Sequence, residues 1–345
     1  MKKTSLTLAL FATCAAIAGA AHAQTAPSGS GVSIYGLLES SISHVDNGTS
    51  TLSNTSATGA GGFAKPGMTS VNGLGSRIGF MGSEDLGGGL KAKFQLEQRF
   101  TSDTGASTVV GSAFAGRSVV GLEGAYGEVL IGRNYVPAYY VATLADPFAF
   151  DNSVAGLGAG HTFAGYAGNA DGSSVRMDNS IAYTSTAFMQ GLSVSAAVAS
   201  NENASGTSNG SYGVNAIYKK EALKLAYGYD HRGDGSNLSI AAASYDLGSV
   251  TPIASYSRGV ANDASLNVVT TNYAIGATAP FRGGVVKAVY ARLNQESTGA
   301  KTSKLGLGYE YGLSKRTSVF TDVATGRTDD QSRTTGVDVG IRHRF

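Results

Sequence analysis

Apolar and polar residues alternate with a period of two along most of this chain. Over residues 223–230, Leu223, Leu225, Tyr227 and Tyr229 fall on one face, and Lys224, Ala226, Gly228 and Asp230 on the other. Residues 305–311 set Leu305, Leu307, Tyr309 and Tyr311 against Gly306, Gly308 and Glu310. The end of the chain sets Val337, Val339, Ile341, His343 and Phe345 against Asp338, Gly340, Arg342 and Arg344. Between residues 91 and 99 the polar face reads Lys91, Lys93, Gln95, Glu97 and Arg99. This period marks a strand with two unlike faces. Sixteen segments carry it, beginning near Val32, Ser76, Leu90, Arg117, Glu128, Asn179, Leu192, Ser211, Leu223, Ser236, Val250, Val269, Val285, Lys304, Thr317 and Thr334. Their connections alternate between short (85–89, 125–127, 187–191, 220–222, 247–249, 281–284, 312–316) and long (44–75, 102–116, 135–178, 201–210).

An all-β chain of this kind is either a soluble sandwich or a closed membrane barrel. A sandwich needs a Leu-, Ile- and Phe-rich inner face and a charged outer one. Here the polar face is Gly, Ser, Ala and Asn with scattered charges, which suits a water-filled interior, and the apolar face suits lipid. Many tyrosines lie at strand ends, as in interfacial girdles. In lipid every backbone N–H and C=O must be paired, and only a closed sheet has no edge. The expected fold is therefore a 16-stranded antiparallel transmembrane β-barrel with short periplasmic turns and long external loops.

Composition agrees. Glycine is 48 of 345 residues and charged residues are 14 %, against about 25 % in ordinary soluble domains. Hydrophobic residues at 42 % are too many for a disordered chain. The apolar run 6–17, preceded by Lys2 and Lys3 and followed by Ala21-His22-Ala23, reads as an export signal cut after Ala23. The chain then divides into a signal peptide, 1–23, and a barrel, 24–345. Removing 1–23 takes two of 26 basic residues and none of 24 acidic ones, leaving 24 − 24 = 0 formal charge. Zero net charge gives no basis for nucleic-acid binding. Cys14 leaves with the signal, so no disulfide or thiolate chemistry remains.

Several runs resemble the general porins of Gram-negative bacteria. They are Val32-Ser33-Ile34-Tyr35-Gly36, Ser76-Arg77-Ile78-Gly79-Phe80 with its turn through Gly89, Gly132-Arg133-Asn134-Tyr135, Asp178-Asn179-Ser180-Ile181-Ala182-Tyr183, and the terminal Gly340-Ile341-Arg342-His343-Arg344-Phe345. The resemblance spans the chain from residue 24 onward. It implies a homotrimer, passive diffusion of small hydrophilic solutes and ions, and a third loop folded into the lumen. It also implies contact with outer-membrane lipids and lipopolysaccharide, and recognition of the terminal Phe345 by the barrel-insertion machinery.

In such a pore, cations on the wall and carboxylates on the inward loop set the field. The resemblance assigns Arg77, Arg133 and Arg176 to the constriction. Position on the polar face adds Arg99 and Arg117. Leu37 stands where a related lysine is expected. Asp146 and Asp151 are the expected loop acids, with Tyr139, Tyr140, Phe148 and Phe150 anchoring the loop and residues 156–160 forming a glycine-rich bend. Clear Tyr and Phe positions fall on the lipid face, so no aromatic track for sugars is read. His44, His161, His231 and His343 show no ligand spacing, so neither metal nor cofactor is expected, and no catalytic triad is apparent. The expected function is a weakly anion-selective diffusion pore. The alternatives are a channel specific for an anion or a sugar, or an adhesive surface barrel.

Overall fold

The computed structural model describes residues 31–47, 75–151, 153–166, 175–200, 210–263 and 266–345. The expected export segment 1–23, and most of the expected loops 44–75 and 201–210, lie outside these residues. Sixteen strands close into one antiparallel barrel. They are β1 (Gly31–Asn47), β2 (Arg77–Gly87), β3 (Leu90–Arg99), β4 (Arg117–Gly124), β5 (Gly127–Tyr135), β6 (Arg176–Ser185), β7 (Leu192–Ala199) and β8 (Ser211–Lys220), followed by β9 (Leu223–His231), β10 (Asn237–Tyr245), β11 (Thr251–Asp263), β12 (Leu266–Phe281), β13 (Gly284–Gln295), β14 (Lys301–Gly312), β15 (Thr317–Thr328) and β16 (Thr334–Arg344). Each strand pairs with its sequence neighbours, and β1 pairs with β16 from Leu37↔Arg344 to Asn47↔Thr334.

The alternation decides which side each residue faces. Ile34, Leu38, Ile78, Val129, Ile275, Leu305 and Val339 are exposed on the outside. Their strand neighbours Tyr35, Leu37, Arg77, Leu130, Ala274, Lys304 and Asp338 are buried inside. Tyr35, Tyr135 and Phe320 are inward and buried, so some strand aromatics belong to the inner wall.

The chain between β5 and β6 does not leave the barrel. Two short helices, α1 (Pro137–Ala145) and α2 (Gly158–Thr162), lie within it. Pro137 opens α1, where its fixed φ and missing N–H cost nothing. Val136, Ala138, Val141, Ala142 and Ala145 form one apolar cluster with Ile217, Ala226, Leu238, Ile240 and Ala242 of β8–β10. Further on, Phe148, Val154, Ala155 and Leu157 pack on Ala274, Val289, Ala291 and Ala324 of β12, β13 and β15. The loop thus covers the inner wall from β8 round to β16.

Glycines on that wall explain the close approach. A Cβ on Gly259 would lie 2.1 Å from the Ala164 carbonyl oxygen, and on Gly306 2.4 Å from that of Ala155. Gly228 and Gly276 face Ala138 and Pro147 in the same way, at 2.9 and 2.5 Å. Part of the small-residue face read from the sequence as water-facing is therefore a bed for the loop.

Candidate functional site

The stretch of inner wall on β2–β6 carries a cluster of arginines, and strand register assembles it. Arg77 stands opposite Arg99, Glu97 opposite Arg117, and Tyr135 opposite Arg176. Directly opposed like charges repel. Glu97 relieves this: it accepts from Arg99 Nε at 2.7 Å and lies 3.9 Å from Arg77 Nη1. Tyr35 donates to the other Glu97 oxygen at 3.1 Å, so the carboxylate is fixed from both sides. Arg117 donates to Asn134 Oδ1 at 2.8 Å, Gln95 Oε1 at 2.7 Å and the Tyr140 hydroxyl at 3.1 Å. Arg176 donates to the Gly116 carbonyl at 2.7 Å and stacks over the Tyr135 ring at 4.7 Å.

Four of the five expected arginines, Arg77, Arg99, Arg117 and Arg176, come together here. Arg133 does not. It sits in an irregularity of β5 between Gly132 and Asn134, pairs in register with Ser118, and is bonded to Asp178 and the Ala115 carbonyl. Leu37 is inward and buried, opposite Arg77.

The loop acids also differ from expectation. Asp146 is buried and accepts from the backbone N–H of Phe148 and Leu157, each at 2.9 Å. Burial pushes its carboxyl up to about 6 despite those donors. It ties the end of α1 to the start of α2. Asp151 accepts from Ser153 N–H at 2.8 Å and from Arg342 Nη2 at 2.7 Å. Arg342 also holds Glu39 on β1 and Glu310 on β14, and its guanidinium lies over Phe320. Neither aspartate bonds to the arginines of β2–β6. The reason is chain direction: the loop reaches the β12–β16 wall by residue 147, so its acids meet that wall. What the loop sets before the arginines is Tyr139 and Tyr140 on α1. Tyr139 stacks on Tyr135 with centroids 4.2 Å apart.

From Tyr139 a chain of ring contacts runs through Phe150 and Phe163 to Tyr166. Its last three members are buried, so the row is the loop's own core. Burial, aided by the nearby Lys304 charge, holds the His161 imidazole down at about 3, neutral at ordinary pH. Among the described residues no three His, Cys, Asp or Glu side chains are grouped as a metal site.

Glu97 was legible in the sequence, since it lies two residues from Arg99 on the polar face of β3. Arg342 and Glu39 were not, because they lie 303 residues apart and only barrel closure joins them. Tyr135 appeared in a family-like run but gave no sign of its stacking role.

Comparison with known proteins places this geometry. The family model described as Gram-negative porin matches residues 8–331. Outer membrane porin protein 32 of Delftia acidovorans is 31 % identical, over all of both chains. The major outer membrane protein P.IB of Neisseria meningitidis serogroup B is 28 % identical over 91 % of this chain and 94 % of its own. The solved structure of an anion-selective porin from Comamonas acidovorans superposes with a TM-score of 0.77 at 28 % identity, covering 92 % of this chain and 100 % of its own. A closed sixteen-stranded barrel with an arginine-lined wall and an inward loop, matched in sequence from end to end, makes this chain an outer-membrane protein of the Gram-negative porin family.

Proposed function

We propose that the chain forms a water-filled pore for small hydrophilic solutes and ions, weakly selective for anions, with Arg77, Arg99, Arg117 and Arg176 setting the field at its narrowest level. One observation supports the selectivity: the loop side chain bonded to this arginine cluster is a neutral one, the Tyr140 hydroxyl on Arg117, and neither loop aspartate reaches it. Oriented cations facing neutral donors leave a positive field. The resemblance to a porin described as anion-selective supports the same reading. Asp146 and Asp151 shape the constriction from behind by fixing the loop. Arg133 is held by Asp178 and the Ala115 carbonyl, outside the Glu97–tyrosine network. Transport is downhill diffusion, with no bond made or broken.

The test is the reversal potential across a KCl gradient. Wild type is expected to favour chloride. R117Q/R176Q is expected to move toward potassium, and the change should shrink in 1 M salt, where the Debye length is about 3 Å against about 10 Å at 0.1 M. A wild-type preference for potassium overturns the reading.

The working state we infer is a trimer, with residues 1–23 removed during export. Ile34, Leu38, Ile78, Val129 and Ile131 form an exposed aliphatic surface on the β1–β5 side of the single chain, and neighbouring copies would cover it. Light scattering of the detergent-solubilised protein should give three chains per particle. A monomer mass would count against it.

A further inference from the structure

A wall cation acts on a passing ion only as far as no neighbouring carboxylate cancels its field. On that measure one arginine outside the β2–β6 cluster stands apart. Arg344, the last residue of β16, lies in one cross-strand row with two members of the cluster. Arg99 pairs with Arg77, Arg77 with Leu37, and Leu37 with Arg344. Leu37 is inward and buried, so its direct partner Arg344 belongs to the inner face as well. Arg342 and Asp338, two and six residues back on the same strand, are buried on that face. At roughly 4.8 Å per strand, Arg344 is about 10 Å from Arg77 and about 14 Å from Arg99 at the backbone. A single apolar side chain, Leu37, interrupts the row.

The carboxylates near Arg344 are held by other cations. Glu39 and Glu310 both pair with Arg342, and Glu310 is also held by Lys287 and Ser318. Glu97 serves Arg99 and Arg77, on the far side of Leu37. Among the described residues Arg344 has no ion-pair partner, and its Nε and Nη2 are buried without a hydrogen-bond acceptor. A guanidinium in that condition is completed only by what the pore brings to it, water or an anion. Glu97 offsets part of the field of Arg77 and Arg99, and no bonded carboxylate offsets that of Arg344. The Arg344 N–H donates to the carbonyl of Arg316 in the short turn before β15. Its charge therefore lies toward the short-turn end of the barrel.

We propose that Arg344 is a further selectivity-determining residue of the pore: it extends the positive wall from the arginine cluster toward the short-turn exit and favours anions over that stretch. The proposal rests on the anion-selective reading given above.

Reversal potentials in a KCl gradient, recorded on the full protein, test it. A unit charge about 7 Å from the ion path, screened at about 0.1 M salt, changes the chloride-to-potassium permeability ratio about two- to threefold. R344Q is expected to lower the ratio by that factor, and R344K to keep it. Arg344 adjoins the β1–β16 seam, so a second arm changes the charge after insertion. R344C channels are recorded open and treated in place with a cationic or an anionic methanethiosulfonate. Cys14, the single cysteine of the chain, lies in the expected export segment, so the new thiol is the target. The cationic reagent is expected to raise the ratio and the anionic one to lower it. An unchanged ratio in R344Q, or R344C channels indifferent to both reagents, overturns the proposal. The two readings fail differently. A wild type that prefers potassium removes the anion-selective reading. A chloride-selective wild type whose ratio falls in R117Q/R176Q but not in R344Q removes only the role of Arg344.

Discussion

Asp146 shows how one side chain shapes the pore without facing it. Its two oxygens accept from Phe148, Leu157 and Gly158 N–H groups, closing a segment of the loop on itself. Since burial lifts the carboxyl from 3.8 to about 6, the seated loop binds this proton more tightly than an unfolded chain does. The stability of seating is therefore full below about 4 and declines as pH rises through about 6. A carbon-13 titration of the aspartate carboxyls should show one midpoint near 6, absent in D146N. If every aspartate titrated near 4, Asp146 would be solvated and the loop not seated as described. Asp146 was legible as a loop acid, but its role was not. An aspartate followed by Pro147 and Phe148 reads equally as a turn or as an exposed charge, and the donor amides eleven and twelve residues on decide between them.

The strands were nearly all legible, because lipid outside and polar surroundings inside impose opposite demands on alternate residues. The three largest errors have one direction. β6, β12 and β14 begin at Arg176, Leu266 and Lys301, each three residues before the expected start. All three are loop-side ends, where the strand has left the hydrocarbon and the outer residues need not be apolar. The loop was less legible, since its partners are small residues whose message is only the absence of a side chain. Gly306 carries the clearest expectation. In G306V the new branched side chain would occupy the place of the Ala155 backbone, whereas the outward Leu305 and Leu307 would be undisturbed. The barrel should insert normally and conduct more, with larger current noise from the displaced loop. Planar-bilayer recording decides it, and unchanged, quiet conductance would mean that the loop does not rest there.

At the scale of the whole molecule, the seam between β1 and β16 is the last contact the chain can make. Phe345 takes part in it directly. Its N–H and carbonyl exchange hydrogen bonds with Gly36 at 3.1 and 2.9 Å. Its ring occupies the place that a Cβ on Gly36 would need, with the nearest ring atom at 2.3 Å. The proposed role of Phe345 as the recognition end for the insertion machinery therefore sits on top of a structural one. Deleting Phe345 removes two backbone hydrogen bonds, each of net worth about 1 kcal/mol, so refolding in detergent should fall measurably. The level inserted in cells should fall further, by tenfold or more. Equal losses in the two assays would leave Phe345 a seam residue and nothing else.

The position of Arg342 gives this assembly an order in time. It lies on the final strand and grips Glu39 of the first strand together with Asp151 of the loop. A chain whose ends have not met lacks the Glu39 half of this grip, so the arginine that holds the loop's far side gains its full set of carboxylates only when the ring shuts. In the same refolding experiment, resistance of the loop to protease should trail closure of the seam in both wild type and the Phe345 deletion, with the interval between them unchanged. On that order the wall of the pore would close before its filter is fully fixed.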